Sequence, residues 1–253
     1  YFEKHAYLAQ SPQLYKQMAV IGGMDRVFMT LPVFRAEKHN TTSHLNEVLQ
    51  MDVEAGFIDD GEAMNVLEAV SLNILSKVRN ECSADLETLG VKLEVPSQIP
   101  RYTYDECLKR LNGSGVKMEW GEDFSKENEK KLVDLIPEEL FFITKWPTKV
   151  RAFYSHPEEE KPEVCKAFDL MYRGVEIASG AQRIHKPEML IESLKSRGLD
   201  PDSFKFYIDA FRVGAPPHAG WSIGLERLTM KLAGKENIRE ACLFPRDRHR
   251  LTP

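Results

Sequence analysis

The chain has few cysteines, and none of them are paired at a metal-binding spacing. Cys82, Cys107, Cys165 and Cys242 lie far apart among 253 residues, which disfavours both a disulfide framework and a cysteine-rich zinc site. Reduced thiols are typical of a cytosolic protein. The sequence also lacks the run of roughly 18 apolar residues that a membrane span needs and a charged-then-apolar leader. We therefore expect a cytoplasmic protein that has no membrane partner.

A strong excess of charge is missing as well. The formal net charge is −5, which disfavours a protein that coats nucleic acid nonspecifically. Arg246, Arg248, His249 and Arg250 form a basic cluster near the end, and four such residues fit a solvated tail as well as a phosphate contact. Neither a Gly-x-Ser-x-Gly elbow nor a Walker A loop is present, so the sequence indicates no covalent nucleophile.

The order of the expected elements indicates the fold class. Strand and helix patterns do not alternate regularly, which predicts an α+β domain with a mainly antiparallel sheet flanked by helices. A less regular segment covers about 80–161. Strands are expected at 26–37, 45–58, 140–144, 167–172 and 174–180, with a last strand and helix after the turn 214–220. Helices are expected at 12–21, 60–79, 104–111, 126–135, 187–196 and 201–213.

Residues 45–58 have the clearest strand pattern. The odd positions are predicted to face a core; the apolar residues there are Leu45, Leu49, Met51, Val53, Ala55 and Phe57. Asn46, Gln50, Asp52 and Glu54 share the opposite face. Amide and acidic groups in a line favour a polar site built on a sheet, with an ordinary solvated face as the alternative.

The most informative segment is 220–227, Gly-Trp-Ser-Ile-Gly-Leu-Glu-Arg, which precedes an apolar helical pattern. Glycines spaced along a strand before a helix would let backbone approach a nucleotide, and Arg227 could bind a phosphate. A simple tight turn is the alternative. Elsewhere, basic residues occur along the expected strands, next to acidic residues. That combination suits a magnesium-bound nucleotide, since arginines bind phosphate oxygens and carboxylates bind the metal.

Three further segments give this motif its meaning. They are 10–17 (Gln-Ser-Pro-Gln-Leu-Tyr-Lys-Gln), 34–37 (Phe-Arg-Ala-Glu) and 44–47 (His-Leu-Asn-Glu). Together with 220–227 they resemble the catalytic domain of class II aminoacyl-tRNA synthetases, most closely the aspartyl-tRNA synthetases of archaea and the eukaryotic cytosol. The resemblance covers nearly the whole chain. It implies the fold of that domain and a ligase that activates L-aspartate with ATP and transfers it to the 3′ end of tRNA.

The resemblance also implies an ATP site with Mg²⁺. Arg35 corresponds to the arginine that contacts the α-phosphate and the amino-acid carboxylate, and Arg227 to the one against adenine or the γ-phosphate; both are the expected catalytic residues. Glu37 matches the residue near the adenine amino group. The other expected ATP-binding residues are Ala36, Ser43, His44, Leu45, Glu176, Gly224, Leu225 and Glu226. The expected ligands of Mg²⁺ are Glu176 and Ser179, with Asp169 as a further candidate.

Amino-acid choice is expected to depend on Arg183 and Lys16. A substrate carboxylate suits the bidentate fork of an arginine, and a second positive charge suits a lysine. The remaining expected aspartate-binding residues are Gln13, Leu14, Tyr15, Arg35, Asp52 and Ser179. A neutral asparagine amide would leave the cations unpaired in a dry pocket.

Members of this family carry an N-terminal anticodon-binding barrel and a first motif that forms the dimer interface. Nothing in residues 1–253 matches either part, so the whole range is expected to be catalytic domain and a homodimer is expected of the full-length protein. The alternatives are a truncated paralogue that makes asparagine or another amide through aspartyl-adenylate, and a noncatalytic binding or regulatory module. Retention of the charged site positions disfavours the noncatalytic module.

Overall fold

The computed structural model describes residues 1–37 and 41–252, and within them seven strands form one sheet. The strands are β1 (Arg26–Phe34), β2 (Glu47–Gly56), β3 (Arg101–Thr103), β4 (Leu140–Pro147), β5 (Val164–Tyr172), β6 (Val175–Gln182) and β7 (His218–Gly224). The α-helices are α1 (Gln13–Ile21), α2 (Asp60–Glu81), α3 (Ser83–Leu89), α4 (Tyr104–Gly113), α5 (Lys126–Leu135), α6 (Pro187–Ser196), α7 (Lys205–Arg212) and α8 (Leu225–Leu232). Single 3₁₀ turns cover Thr148–Val150, Pro201–Phe204 and Ile238–Ala241.

The strand order is β1-β2-β7-β6-β5-β4-β3. Every neighbouring pair is antiparallel except β3 and β4, which are parallel. This confirms the predicted α+β class with a mainly antiparallel sheet. Because β7 lies between β2 and β6, the first part of the 220–227 motif pairs directly with the polar strand β2. None of the helices within the described ranges is long and apolar enough to cross a bilayer.

Local signals set several of the helix ends. The α2 helix begins with a capping box, in which the Asp59 carboxylate accepts from the Glu62 N–H and the Glu62 carboxylate accepts from the Asp59 N–H. The α1 helix begins at Gln13, one residue later than predicted, so Pro12 is its N-cap residue and not its first helical residue. The Ser11 hydroxyl accepts from the Gln13 N–H. The predicted turn at 39–43 lies partly outside the described residues.

The segment 80–161 is more regular than its sequence pattern indicated. It contains α3, β3, α4 and α5. The helices α4 and α5 pack a second apolar core with β4 and β5, whereas Leu86 of α3 belongs to the main core. The α5 helix lies over the turn between β5 and β6, where Gly174 has a φ of +74° and a Cβ atom at this position would lie 2.9 Å from the Val133 side chain. The predicted helix 201–213 is a 3₁₀ turn followed by α7.

The burial of strand β2 differs from its prediction. Met51 and Val53 pack against the main core as expected, but Leu49 and Phe57 are 37% and 73% exposed. The polar face is the more deeply buried one; its residues are Gln50, Asp52 and Glu54. The reason is that the sheet is covered on both sides, by α2 on the apolar face and by α1 on the polar face, where buried cations neutralise the acids.

Candidate active site

The polar face of the central strands forms the floor of a cavity of about 330 Å³. It is bounded by α1, the start of α8, the turn before β2 and the chain around 151–155. Most predicted site residues line it: Gln13, Lys16, Arg35, Glu37, Ser43, His44, Leu45, Asp52, Asp169, Glu176, Ser179, Arg183, Gly224, Glu226 and Arg227. The fold therefore brings together predicted residues from α1, β2, β5, β6, β7, α8 and the turns between elements.

Four predicted residues do not line the cavity. Leu14 packs against the apolar cluster of α6 and α7, Tyr15 is 64% exposed, and Ala36 and Leu225 are only chain neighbours of lining residues. The helical period explains the first pair, because positions three apart share a face of α1 and those between them point elsewhere. The two residues of α1 that line the cavity have this spacing.

The sheet register aligns one row of polar residues across four strands. Asp52 pairs with Ser222, Ser222 with Ser179, and Ser179 with Asp169. Residues directly opposite on antiparallel strands share a face of the sheet, so this row runs across the cavity floor. The Ser222 hydroxyl donates to Asp52 Oδ2 at 3.0 Å.

We name the two ends of the cavity by their helices. The α1 end comprises Gln13, Lys16, Asp52, Glu54 and Arg183. The α8 end comprises Arg35, Glu37, Ser43, His44 and Arg227.

At the α1 end, two acids and two bases form a buried network. Lys16 Nζ lies 2.8 Å from Asp52 Oδ1 and 3.3 Å from Glu54 Oε2. Arg183 donates to both Glu54 oxygens, from Nε at 2.9 Å and from Nη2 at 3.1 Å. Burial alone would raise the pKa of Glu54, but Arg183 and Lys16 outweigh it and hold that pKa below its ordinary value. The four charges therefore sum to zero inside the protein.

Lys16 and Arg183 differ in the hydrogen-bond donors that remain available to a ligand. The Lys16 ammonium is within hydrogen-bond distance of Asp52 and of the carbonyls of Val53 and Trp221, so its three donors are matched by protein acceptors. Arg183 uses Nε and Nη2 for Glu54, and the described residues give no hydrogen-bond partner to Nη1. The structure thus uses Lys16 to hold the acids and leaves Arg183 as the group able to receive an anion.

A neutral relay supports Gln13 from behind. Its Nε2 donates to Gln17 Oε1 at 2.8 Å, which also accepts from the Tyr207 hydroxyl. Gln17 Nε2 lies 3.0 Å from His218 Nε2, and His218 Nδ1 lies 2.8 Å from the Pro216 carbonyl oxygen. A carbonyl can only accept, so Nδ1 carries the hydrogen and Nε2 accepts from Gln17. Burial lowers the pKa of His218, which keeps the imidazole neutral.

At the α8 end, Arg227 joins three parts of the chain. Its Nη1 donates to the Glu176 carbonyl oxygen at 2.9 Å and its Nε to the Ser43 carbonyl oxygen at 3.2 Å, while Nη2 lies 3.2 Å from His44 Nε2. The Arg227 side chain is 25% exposed. The guanidinium is held mainly by backbone carbonyls rather than by a carboxylate, so its positive charge remains available to an anion.

Two other predicted residues of this region have different surroundings. Arg35 is exposed at the end of β1, where its Nε donates to the Gln10 carbonyl oxygen at 3.2 Å. Glu226 is buried, and both of its carboxylate oxygens accept from the Leu49 N–H, at 2.9 and 3.1 Å. Glu226 therefore fixes the start of α8 to β2, whereas Arg35 reaches solvent at the cavity mouth.

Between the two ends lie the carboxylates predicted to bind metal. Burial raises the pKa of Asp169, and its Oδ1 is buried without a hydrogen-bond partner among the described residues. Glu176 lies 3.8 Å from Arg227. Carboxylate oxygens and the hydroxyl of Ser179 are the hard donors that Mg²⁺ prefers. No group of three His, Cys, Asp or Glu within the described residues could hold a metal alone, so phosphate oxygens would have to complete the site.

The lining residues that the sequence did not predict include Arg151 and Tyr154, in the irregular chain before β5. Arg151 pairs with Asp169, and its guanidinium lies 3.9 Å from the Trp146 ring centroid. Tyr154 has its ring centroid 5.4 Å from the Arg183 guanidinium. Neither residue lies in a periodic pattern or a recognisable motif, so no local signal indicated it.

The α5 helix also contributes groups that were missed. Lys126 Nζ lies 2.8 Å from both Thr41 Oγ1 and His44 Nδ1. One turn later, burial and the nearby Glu176 charge raise the pKa of Glu129 to about 8. Opposite charges three residues apart on a helix usually form a solvated pair, which is why this spacing carried no signal.

The two outer glycines of the 220–227 motif have different surroundings. A Cβ atom on residue 220 would lie 2.2 Å from Glu54 Oε2 and 2.2 Å from the Val53 carbonyl oxygen. Gly220 therefore makes room for the buried Glu54 carboxylate. At Gly224 a Cβ would meet only the Arg227 side chain, at 3.9 Å.

The chain is similar to known proteins over nearly its whole length. Residues 1–248 match the family described as tRNA synthetases class II (D, K and N). The aspartate–tRNA(Asp/Asn) ligase of Methanocaldococcus jannaschii is 52% identical over 254 residues, which cover 100% of this chain and 58% of that protein. The protein of the same name from Archaeoglobus fulgidus is 51% identical, covering 100% and 59%. This chain thus spans less than two thirds of these curated relatives.

Solved structures agree with that match. The aspartyl-tRNA synthetase from Entamoeba histolytica is 39% identical with a TM-score of 0.93, covering 99% of this chain and 54% of that one. The asparaginyl-tRNA synthetase from Pyrococcus horikoshii, complexed with asparaginyl-adenylate, is 34% identical with a TM-score of 0.95, covering 100% and 59%. The fold alone therefore does not distinguish the two amino acids.

Proposed function

The chain belongs to the class II tRNA synthetases of the D, K and N group, and we propose that it activates L-aspartate with ATP and transfers it to the 3′ end of a tRNA. The observation that carries the choice of aspartate is Arg183. Its guanidinium is buried, oriented by two hydrogen bonds to Glu54, and has Nη1 left for a ligand. A side-chain carboxylate is the group that such a fork binds best.

The α1 end would select aspartate by charge. An asparagine amide would offer Nη1 of Arg183 only a neutral acceptor, where a carboxylate makes a charge-assisted hydrogen bond, and a lysine side chain would bring a second cation beside it. Asp52 would receive the substrate ammonium, since Lys16 and Ser222 keep its carboxylate oriented. Gln13 would add an amide contact that the buried relay holds in place.

The α8 end would bind the nucleotide. Arg227 and Arg35 would contact phosphates, and Glu37 the adenine amino group. The aspartate α-carboxylate would attack the α-phosphorus of ATP, so that a new C–O–P bond forms and pyrophosphate leaves. The terminal ribose hydroxyl of tRNA would then attack the activated carbonyl and release AMP. Positioning and charge stabilisation suffice for both steps, so no protein nucleophile is required.

A divalent cation fits the residues between the two ends. Glu176, Ser179 and Asp169 would hold Mg²⁺, which when bound neutralises phosphate charge. The buried, unpartnered Oδ1 of Asp169 supports this assignment.

We propose residues 1–253 as one catalytic domain of a cytoplasmic protein that forms a homodimer when full length and has no membrane partner. The continuous seven-stranded sheet supports the single domain, and the free state of all four cysteines supports the compartment. Sedimentation of the full-length protein as a monomer at micromolar concentration would count against the dimer.

ATP–pyrophosphate exchange tests the proposed activity. Aspartate should support exchange, whereas asparagine and lysine should support little more than the reaction without amino acid. Equal exchange with asparagine would overturn the choice of substrate. Because the archaeal relatives are named for tRNA(Asp/Asn), the transfer step should be assayed with both tRNAs. Adenylate formation without transfer to either tRNA would favour the amide-forming paralogue instead.

A further inference from the structure

Lys126 reaches the α8 end of the cavity from a distant part of the chain. It is the first residue of α5 and is half-buried. Its Nζ lies 2.8 Å from Thr41 Oγ1 and 2.8 Å from His44 Nδ1, and it also donates to the Ser43 hydroxyl. Ser43 and His44 line the cavity. One lysine of the segment 80–161 therefore contacts the turn that borders the predicted nucleotide site.

Lys126 and Arg227 approach the same imidazole from opposite sides. Arg227 Nη2 lies 3.2 Å from His44 Nε2, and Lys126 Nζ lies 2.8 Å from His44 Nδ1. Ammonium and guanidinium groups can only donate, and a neutral imidazole accepts at only one of its two nitrogens. One of these two contacts is therefore donor against donor.

Two cations also lie close together beside this imidazole. Burial and the Arg227 charge together lower the pKa of Lys126, as expected for two cations held close together. Arg227 spends its other hydrogen bonds on backbone carbonyls. A multiply charged anion at this end would relieve both the repulsion between the cations and the mismatched contact.

We propose that Lys126 is a third cationic ligand of the triphosphate, acting with Arg227 on the β- and γ-phosphates and on the pyrophosphate that leaves. This inference rests on the function proposed above and deepens it. Lysine suits the role because it binds phosphate as a flexible point charge. On phosphate binding, Nζ exchanges its contact with His44 for phosphate oxygens, and the His44 imidazole then accepts from Arg227 without the competing ammonium.

Kinetics of ATP–pyrophosphate exchange test the assignment. Lys126→Met should raise the KM for ATP and for pyrophosphate by about tenfold or more, the loss expected for one charge-assisted hydrogen bond. The KM for aspartate should stay within about twofold, and Lys126→Arg should recover most of the loss, since it restores the charge. The matched control is Lys131→Met on the same helix, whose side chain is 42% exposed and pairs with Asp134; it should leave all three constants unchanged.

Two results would overturn the inference. One is an unchanged KM for ATP and pyrophosphate in Lys126→Met; the other is an equal rise in the KM for aspartate, which would mean that Lys126 only holds the turn. Lys126→Gln provides a second variant if the methionine protein has a lowered melting temperature. Failure of the proposed function is separable, since the wild-type protein would then show no aspartate-dependent exchange. Calorimetric titration with ATP and Mg²⁺ would still test Lys126 in that event, with weakened binding supporting the inference and unchanged binding overturning it.

Discussion

At the α1 end of the cavity, Lys16, Asp52, Glu54 and Arg183 are at most 3% exposed and balance one another's charges. At the α8 end, Arg227 is 25% exposed and its guanidinium is held largely by backbone carbonyls. The first group lies on or against strands, whose register fixes each side chain. The second depends on a turn and the start of a helix.

This difference separates two ways of preparing a binding site. Charges that are buried and paired have already lost their hydration, so the α1 end can discriminate sharply between a carboxylate and an amide. Cations held mainly by neutral groups gain most when a multiply charged anion arrives, so the α8 end is suited to affinity for phosphate. The comparison predicts that mutations at the α1 end cost stability, whereas mutations at the α8 end mainly cost ligand binding.

The largest expected effect is that of Glu54→Gln. Removing this carboxylate leaves the Arg183 charge buried without its partner, which should lower the free energy of unfolding by about 3–5 kcal/mol. Urea denaturation measures the change. Glu139→Gln is the matched control, because Glu139 pairs with Arg173 at 2.8 Å but is 57% exposed, and exposed pairs contribute about 1 kcal/mol or less. A loss below about 1 kcal/mol for Glu54→Gln, the range of an exposed pair, would contradict the account of the α1 end.

The next effect is steric and distinguishes two glycines of one motif. Gly220→Ala places a methyl group 2.2 Å from the Glu54 carboxylate, and such overpacking typically costs about 1–3 kcal/mol. Gly224→Ala meets only the Arg227 side chain at 3.9 Å, an ordinary contact, and should leave the unfolding free energy nearly unchanged. Equal losses in the two variants would show that Glu54 is not what requires a glycine at 220.

Lowering the pH should destabilise the folded protein through protonation of His218, which lies behind the α1 end. Burial lowers the pKa of His218, so the folded protein binds fewer protons than the unfolded chain once the pH falls below about 6.5. This contribution to stability is complete above that pH and is lost as the pH falls towards the folded-state pKa. His218→Asn keeps a donor for the Pro216 carbonyl oxygen and removes the titration. The stability advantage of the wild-type protein over this variant should therefore shrink between about pH 7 and pH 5; an advantage independent of pH would contradict the prediction.

The smallest effect on stability is expected for Arg35→Ala. Arg35 is exposed, and within the described part of the chain its side chain makes one hydrogen bond, to the Gln10 carbonyl oxygen. Loss of this side chain should therefore change the free energy of unfolding by no more than about 0.5 kcal/mol. Thermal unfolding monitored by circular dichroism is sufficient to check this. A cost comparable to that of Glu54→Gln would remove the distinction between the two ends.

Local sequence patterns predicted much of the fold because their causes are local. The capping box at Asp59, the helical spacing in α2 and the alternation in β2 each depend on residues a few positions apart. The family motifs predicted that Gln13, Arg183 and Arg227 belong to one site. The fold brings these three residues to one cavity, although they are far apart in the chain.

The sequence could not reveal what depends on partners from distant elements. That Lys16 is satisfied by Asp52 and two carbonyl groups follows from the pairing of β2 with β7, which no local pattern encodes. The polar face of β2 was open to interpretation as solvated because the burial of an acid depends on cations elsewhere. Lys126 was missed because only the packing of α5 over the β5–β6 turn brings it to the site.

The two ends of the cavity should bind different ligands independently, which calorimetric titration of two variants can measure. Arg183→Leu should weaken aspartate binding by about tenfold to a hundredfold, the value of a lost charge-assisted contact, while the Kd for ATP with Mg²⁺ stays within a few-fold of wild type. Arg227→Ala should do the reverse. If either variant weakened both ligands equally, or if Arg183→Leu still preferred aspartate to asparagine, the division of the cavity into a carboxylate-selective end and a phosphate-binding end would be wrong.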